Sequence, residues 1–298
     1  MFVLLGSSGQ ITTQLARQLL GAGHAVRVVG RNRSAMASLA QLGAELAVGD
    51  PADTAFLERA FSGATAAYTM TPPCYAEPDM RTAQDRIGVA IAQALRTARV
   101  PRVVNLSSVG AELAEGTGPI AGLHAQEQRL SGMANLLHLR PGSFMENYLA
   151  ALYPVATAGV LPGLEAADAR IPLVATRDIA TVAARELTQP TRNGVLIIHA
   201  AQLATPPDVA AVLGKAIGRP ELVYVQTPAE DMKAVLLDQG FSKDAADQLD
   251  ALARWLSTSP LAAVAVAPAE IQPTTLEAFA RDVFAPAYLA TQASLQQA

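Results

Sequence analysis

Phe2-Val3-Leu4-Leu5-Gly6-Ser7-Ser8-Gly9-Gln10-Ile11-Thr12 is the stretch that decides the fold. Four consecutive apolar residues predict a strand buried on both faces, because a half-buried strand would alternate. Gly6 and Gly9 free the backbone for a tight turn. Ile11, Leu15 and Leu19 then fall at i, i+4 and i+8, one face of a helix. Strand, glycine turn and helix in that order form the setting in which a diphosphate rests on main-chain amides: the helix start gathers unpaired N–H groups and the positive end of the helix dipole. Taken alone, the turn also reads as an ordinary capped connection. Thr12 stands where a third glycine is usual, which predicts looser packing of helix on strand.

The pattern repeats outward from this unit. Further strands are expected at residues 25–30, 45–48, 65–71, 102–106 and 136–139. Between them lie a helix capped by Ser34 and carrying Met36, Leu39 and Leu42, and one capped by Asp53 with Phe56, Leu57 and Ala60. A long one over 79–98 has Ile87, Ile91 and Leu95 on one face. Alternating strands and helices with short loops predict an α/β protein with a doubly wound parallel sheet, a Rossmann fold. After Pro141 the periodicity turns helical, at 144–152, 178–187, 207–217, 229–239, 243–256 and 275–283, with strands at 195–199 and 222–225. The expected division is a dinucleotide-binding domain, 1–142, and a smaller, mostly helical lobe, 143–298, that adds few strands to the main sheet. Trp255, with Leu249, Leu252 and Leu256, is expected in the core of that lobe.

Composition narrows the function. Hydrophobic residues make up 51% of the 298 and charged residues 16%, enough apolar material for a sizeable core. The net charge is −4 without a basic patch, which argues against nucleic acid as a partner. The apolar runs at 149–160 and 261–267 fall short of the about 20 residues a membrane helix needs. A single cysteine, Cys74, excludes an intrachain disulfide and suits a reducing compartment. The first strand begins at residue 2 with no leader before it, so a soluble, cytoplasmic protein is expected. His24, His124, His138 and His199 are dispersed, and no metal site is expected. Oligomerisation is left open.

The second strand ends in Gly30-Arg31-Asn32-Arg33. An NAD-preferring site carries an acidic residue there, about 20 residues past the glycines, to bind the ribose hydroxyl. Here no carboxylate stands to repel a 2′-phosphate, and two guanidinium groups are available to bind it. The expected cofactor is therefore NADP(H) in preference to NAD(H). Asp50 is placed to meet the adenine amino group or, equally, to hold a turn. Thr71-Pro72 and Ser107-Ser108 close the fourth and fifth strands, at the sheet edge that lines the ligand crevice in such folds.

These segments, with Leu139-Arg140-Pro141-Gly142-Ser143-Phe144-Met145-Glu146-Asn147 as the most specific, resemble the NmrA-like group of atypical short-chain dehydrogenase/reductases over nearly the whole chain. The resemblance implies a nicotinamide cofactor lying across Gly6–Ile11, Arg31, Thr71, Ser107 and the loop from Pro141 through Gly142 to Phe144. Cys74, Tyr75, Met145 and Tyr148 are the candidate substrate-side residues. The group includes reductases, of quinones for example, and non-enzymatic redox sensors that bind a regulatory protein; both readings stay open at this point.

The usual catalytic pair of these dehydrogenases, Tyr-x-x-x-Lys, occurs nowhere. The only lysines are Lys215, Lys233 and Lys243. In the helix before the sixth strand Glu127 fits the group's pattern, but the lysine's place falls on Leu123 or His124. A ketone becomes a strongly basic alkoxide and needs a proton donor. A quinone becomes a phenolate with a pKa of about 10, by analogy with tyrosine, and an iminium needs no proton. The residues therefore permit an electron-poor acceptor, quinone-like or iminium. His124 is the candidate proton-exchanging residue; the plainer reading is a surface histidine early in a helix.

Overall fold

The computed structural model describes residues 1–6, 9–259 and 269–297, so Ser7, Ser8 and the apolar run 261–267 lie outside the described residues. Two compact units emerge: unit 1 is Met1–Pro141 with Arg177–Leu196, and unit 2 is Gly142–Thr176 with Ile197–Ala298.

Unit 1 is built from β1 (Phe2–Leu5), α1 (Gln10–Gly21), β2 (Val26–Gly30), α2 (Ala37–Gln41), β3 (Glu45–Val48), α3 (Thr54–Phe61), β4 (Ala66–Met70), α4 (Met80–Thr97), β5 (Val103–Leu106), α5 (Ile120–Leu130) and β6 (Leu136–Pro141). Across the sheet these strands run in the order β3-β2-β1-β4-β5-β6, all parallel. The order reverses between β1 and β4, which makes their carboxyl ends the topological switch point where open α/β sheets bind ligands. Val3, Leu4 and Val28 are fully buried, as continuous apolar strands require. Asp53 and Asp79 cap α3 and α4 by accepting from the amides of Phe56 and Thr82.

Ser34 does not cap the second helix. It lies inside a 3-10 turn, Ser34–Met36, and the Asn32 carboxamide oxygen takes the capping role, accepting from the Ser34 and Ala35 amides and the Ser34 hydroxyl. The geometry of an Asx turn, two residues upstream of its donor, outcompetes the hydroxyl.

The second half contributes β7 (Ser143–Phe144), α6 (Leu152–Ala158), β8 (Val160–Gly163), β9 (Ile171–Val174), α7 (Thr176–Thr188), β10 (Gly194–Ala200), β11 (Leu203–Ala204), α8 (Pro206–Ala216), β12 (Val223–Gln226), α9 (Ala229–Asp238), α10 (Lys243–Thr258) and β13 (Ala269–Gln272). The chain then runs through Leu276–Phe279, a π turn Ala280–Phe284 and a last helix, Ala285–Gln297. The expected helix at 144–152 is a strand end followed by a 3-10 helix, Met145–Ala151. Few strands were expected to return to the main sheet; β10 and β13 do, making it eight-stranded in the order β13-β10-β6-β5-β4-β1-β2-β3. Met145, Val155, Leu173, Val209, Leu213, Phe279, Phe284 and Tyr288 fill the core of unit 2. Trp255 is only half-buried and lies outside that core; Ala246, Ala253 and Leu256 supply the buried face of α10.

Gly142 explains part of the specific stretch at the end of β6. A Cβ there would lie 2.3 Å from the Pro172 carbonyl oxygen of β9, a main-chain atom that cannot swing aside. Gly142→Ala is therefore expected to destabilise the fold by about 1–3 kcal/mol, the usual cost of overpacking, as read by urea denaturation.

Candidate functional site

In unit 1 the described ends of the glycine turn are Gly6 and Gly9. Gly6 has φ +118, and a Cβ on it would meet Thr12 Oγ1 at 2.9 Å and Met70 Cγ at 3.4 Å. The looseness expected from Thr12 is absent: its side chain is buried and fills the space that bare Gly6 leaves. Gly9 stands at the N-cap of α1 and, having no side chain, makes no side-chain cap bond to the helix start. Gln10 is exposed and Ile11 is buried.

Across the switch point, at the end of β4, Thr71 Oγ1 is buried with no hydrogen-bond partner among the described residues. Such an orphan costs free energy unless a ligand or water completes it. At the end of β2, Arg31 and Arg33 are exposed and form no ion pair among the described residues, whereas the Asn32 side chain is spent on the turn. Asp50 also serves its own loop, its carboxylate accepting from the Ala52 amide at 2.9 Å.

Cys74 follows Pro72-Pro73 with φ +58, and its thiol reaches the Pro72 carbonyl at 3.4 Å. Burial, then the Glu77 charge, raises the thiol pKa, outweighing the lowering effect of Arg31 and Arg86. The sequence showed no adjacent cation; folding brings two into electrostatic reach. One of the two is Arg31, the candidate phosphate-binding residue. Burial likewise raises the phenol of neighbouring Tyr75.

At the end of β5, Ser107 is buried and its hydroxyl donates to Glu127 Oε1 at 2.5 Å. Glu127 in turn receives the fork of Arg140 at 2.9 and 2.6 Å, and Arg140 also reaches Glu112 at 3.0 Å. The Ser107 proton is committed to a carboxylate, so towards a ligand this hydroxyl offers lone pairs. Burial works to lower the Arg140 pKa, but Glu127 and then Glu112 outweigh it and the net direction is up. Ser108 is turned back on the Val109 carbonyl. Beneath this network a polar chain crosses three paired strands: Thr69 donates to Asn105, whose amide lies 3.2 Å from His138 Nδ1. Burial lowers the His138 pKa and favours its neutral form. His124, on α5, is partly buried with Nδ1 held 2.9 Å from the Ala111 carbonyl. That contact makes Nδ1 the donor.

Pro141 ends the first segment of unit 1. In unit 2, Phe144 pairs with Val174 and is partly buried, and Met145 is completely buried. Glu146 accepts from both the amide and the hydroxyl of Thr176, tying the 3-10 segment to the start of α7. Tyr148 is partly buried against the core of this unit, whereas Tyr153 is 64% exposed. Among the described residues no helix is long and apolar enough to cross a membrane, and no group of three or more His, Cys, Asp or Glu is arranged to hold a metal ion.

Sequence reasoning missed Arg86, Glu112 and Arg140 as site residues. Glu127 was visible as a pattern match without a role. The one signal was for Arg140, which sits next to the end of the predicted sixth strand, where buried charge needs a partner.

A 3-2-1-4-5-6 parallel sheet with a glycine turn after β1 defines the doubly wound, dinucleotide-type class. The model of the NmrA-like family matches residues 2–280, and the chain belongs to that family. An NAD(P)H azoreductase from Xenophilus azovorans is 27% identical over 255 residues, 85% of this chain and 86% of that protein. Two solved structures share the fold. The NADPH-dependent quinone oxidoreductase of Escherichia coli in complex with NADPH has a TM-score of 0.75 at 22% identity, covering 95% of this chain and all of that one. The Citrobacter sp. triphenylmethane reductase complexed with NADP(H) has a TM-score of 0.75 at 20% identity, covering 94% and 99%.

Proposed function

We propose that this protein is an NADPH-dependent reductase of a small, electron-poor acceptor, quinone-like or iminium. The observation that carries the reading is the orphaned buried hydroxyl of Thr71 at the end of β4, on one side of the switch point, facing a helix start with glycine at its N-cap that follows β1 on the other. The nicotinamide, when bound, supplies the hydride. The amides of Gly9, Gln10 and Ile11 hold the diphosphate, with Ser7 and Ser8 in the same turn. Arg31, with Arg33 beside it, holds the 2′-phosphate. Thr71, Pro72, Ser107 and the Pro141–Phe144 segment position the nicotinamide half, Ser107 as an acceptor because its proton is given to Glu127. Cys74, Tyr75, Met145 and Tyr148 serve the acceptor side. The names of the azoreductase, quinone reductase and triphenylmethane reductase support the same class of chemistry.

The missing Tyr-x-x-x-Lys pair selects the acceptor: the chain positions reactants and excludes water rather than driving proton transfer. Purified protein is expected to oxidise NADPH with menadione and with a cyclic iminium salt. Absence of oxidation across a panel of both kinds would remove the proposal. His124→Ala is expected to leave iminium reduction unchanged and to slow quinone reduction well short of the roughly 100- to 10,000-fold that a required general acid contributes, since water protonates the product. Steady-state rates on the two acceptors check this; a loss in that range on the quinone alone would make His124 the proton donor.

A further inference from the structure

We propose that Glu165, Tyr148 and Tyr224 form a subsite in unit 2 that receives the positively charged end of an aromatic iminium-type acceptor. The inference rests on the reductase reading and narrows its substrate class. The three residues come from separate elements: the 3-10 helix Met145–Ala151, the loop after β8, and β12. Gly163, the last residue of β8, lets Tyr224 and Glu165 close together. A Cβ at that position would meet the Tyr224 ring and hydroxyl at 2.8 Å and Glu165 Oε2 at 3.0 Å. Ring and carboxylate therefore pack over bare backbone. The Tyr224 hydroxyl donates to the Glu165 carbonyl at 2.6 Å, which fixes the ring against the loop.

That bond uses the main chain of Glu165 and leaves its carboxylate unspent. Among the described residues the carboxylate has no ion-pair or hydrogen-bond partner. Arg219, a cation of the same unit, is taken by the Val155 carbonyl and by Glu221. Burial first, and the Glu165 charge after it, raises the phenols of both Tyr148 and Tyr224, so the negative charge is felt at both rings and both stay neutral. A carboxylate flanked by two aromatic side chains in partly buried surroundings attracts a delocalised cation by charge and by the ring quadrupole.

The chemistry closes without a proton donor. Hydride from the reduced nicotinamide adds to the carbon of the C=N⁺ bond, and the π pair moves onto nitrogen. The acceptor becomes a neutral amine while the nicotinamide is left oxidised. The neutral product no longer attracts Glu165, which favours its release.

N-methylisoquinolinium, a permanent cation that accepts hydride beside its nitrogen, and neutral isoquinoline form a matched pair of probes. Calorimetry on the full chain at mildly alkaline pH is expected to show the cation binding at least about tenfold tighter than the neutral probe. Glu165→Gln is expected to erase that preference while keeping the affinity for isoquinoline, and Glu165→Asp to retain most of it. Equal cation affinity in wild type and Glu165→Gln, or parallel loss of both probes, overturns the subsite. NADPH oxidation with the same cation and with menadione tests the wider reading separately. Charge-selective binding with no turnover of either keeps the subsite and sinks the reductase. Turnover of both acceptors that Glu165→Gln leaves unchanged sinks the subsite alone.

Discussion

Arg31→Ala is expected to raise the dissociation constant for NADPH by about 10- to 100-fold, the equivalent of the ~1.5–3 kcal/mol carried by hydrogen bonds to a charged group. The same change is expected to leave NADH binding within a factor of about two, because only the 2′-phosphate meets that guanidinium. The basis is local. Arg31 is exposed at the end of β2, has no ion-pair partner among the described residues, and lies in a turn that Asn32 rigidifies through three hydrogen bonds. A parallel loss for both dinucleotides would show that Arg31 supports the turn rather than reads the phosphate. Titration of the variant with each cofactor separates the two outcomes.

Glu186→Ala is expected to have the largest effect on stability, about 3–5 kcal/mol, because it leaves a buried cation without its partner. Arg102, 6% exposed, spends its guanidinium on Glu186 Oε2 at 3.2 Å, the Glu186 carbonyl at 3.1 Å, Asn193 at 2.6 Å and the Arg192 carbonyl at 3.0 Å. Within unit 1 these bonds tie the start of β5 to α7 and the loop that follows it. Burial works to raise the Glu186 carboxyl, but hydrogen bonds from Thr191 and the charge of Arg185 outweigh it and hold the pKa below its ordinary value of 4.5. A lowered carboxylate pKa means the unfolded chain binds more protons at acid pH. This contribution is therefore complete above the ordinary value and is lost as pH falls through the folded-state one. Urea melts across that acid range should converge for wild type and variant; a gap that stays constant with pH would place the effect in packing instead.

How much of this was legible in the sequence follows from burial. Phe2–Leu5 was readable because a strand covered on both faces is uniformly apolar, and Asp53 because caps carry a local code. β13 was not. Its four residues, Ala269–Gln272, leave Ile271 half exposed at a sheet edge, and so short a segment has no period to detect. The 3-10 and π turns at Met145–Ala151 and Ala280–Phe284 carry helical composition and differ only in hydrogen-bond pairing. In the candidate site, Gly6 and Arg31 could be found by spacing from one strand. The chain of Ser107 on Glu127 and Glu127 on Arg140 depends on separate elements, and only the fold brings them together.

The most direct test is a calorimetric titration of the wild-type protein with NADPH and, separately, with NADH. Binding of NADPH with an affinity at least about tenfold above that for NADH is the predicted result, from the charge-assisted bonds that only the phosphorylated ribose can make. No heat from either dinucleotide would contradict the account at its root, and equal affinities would remove the role given to Arg31.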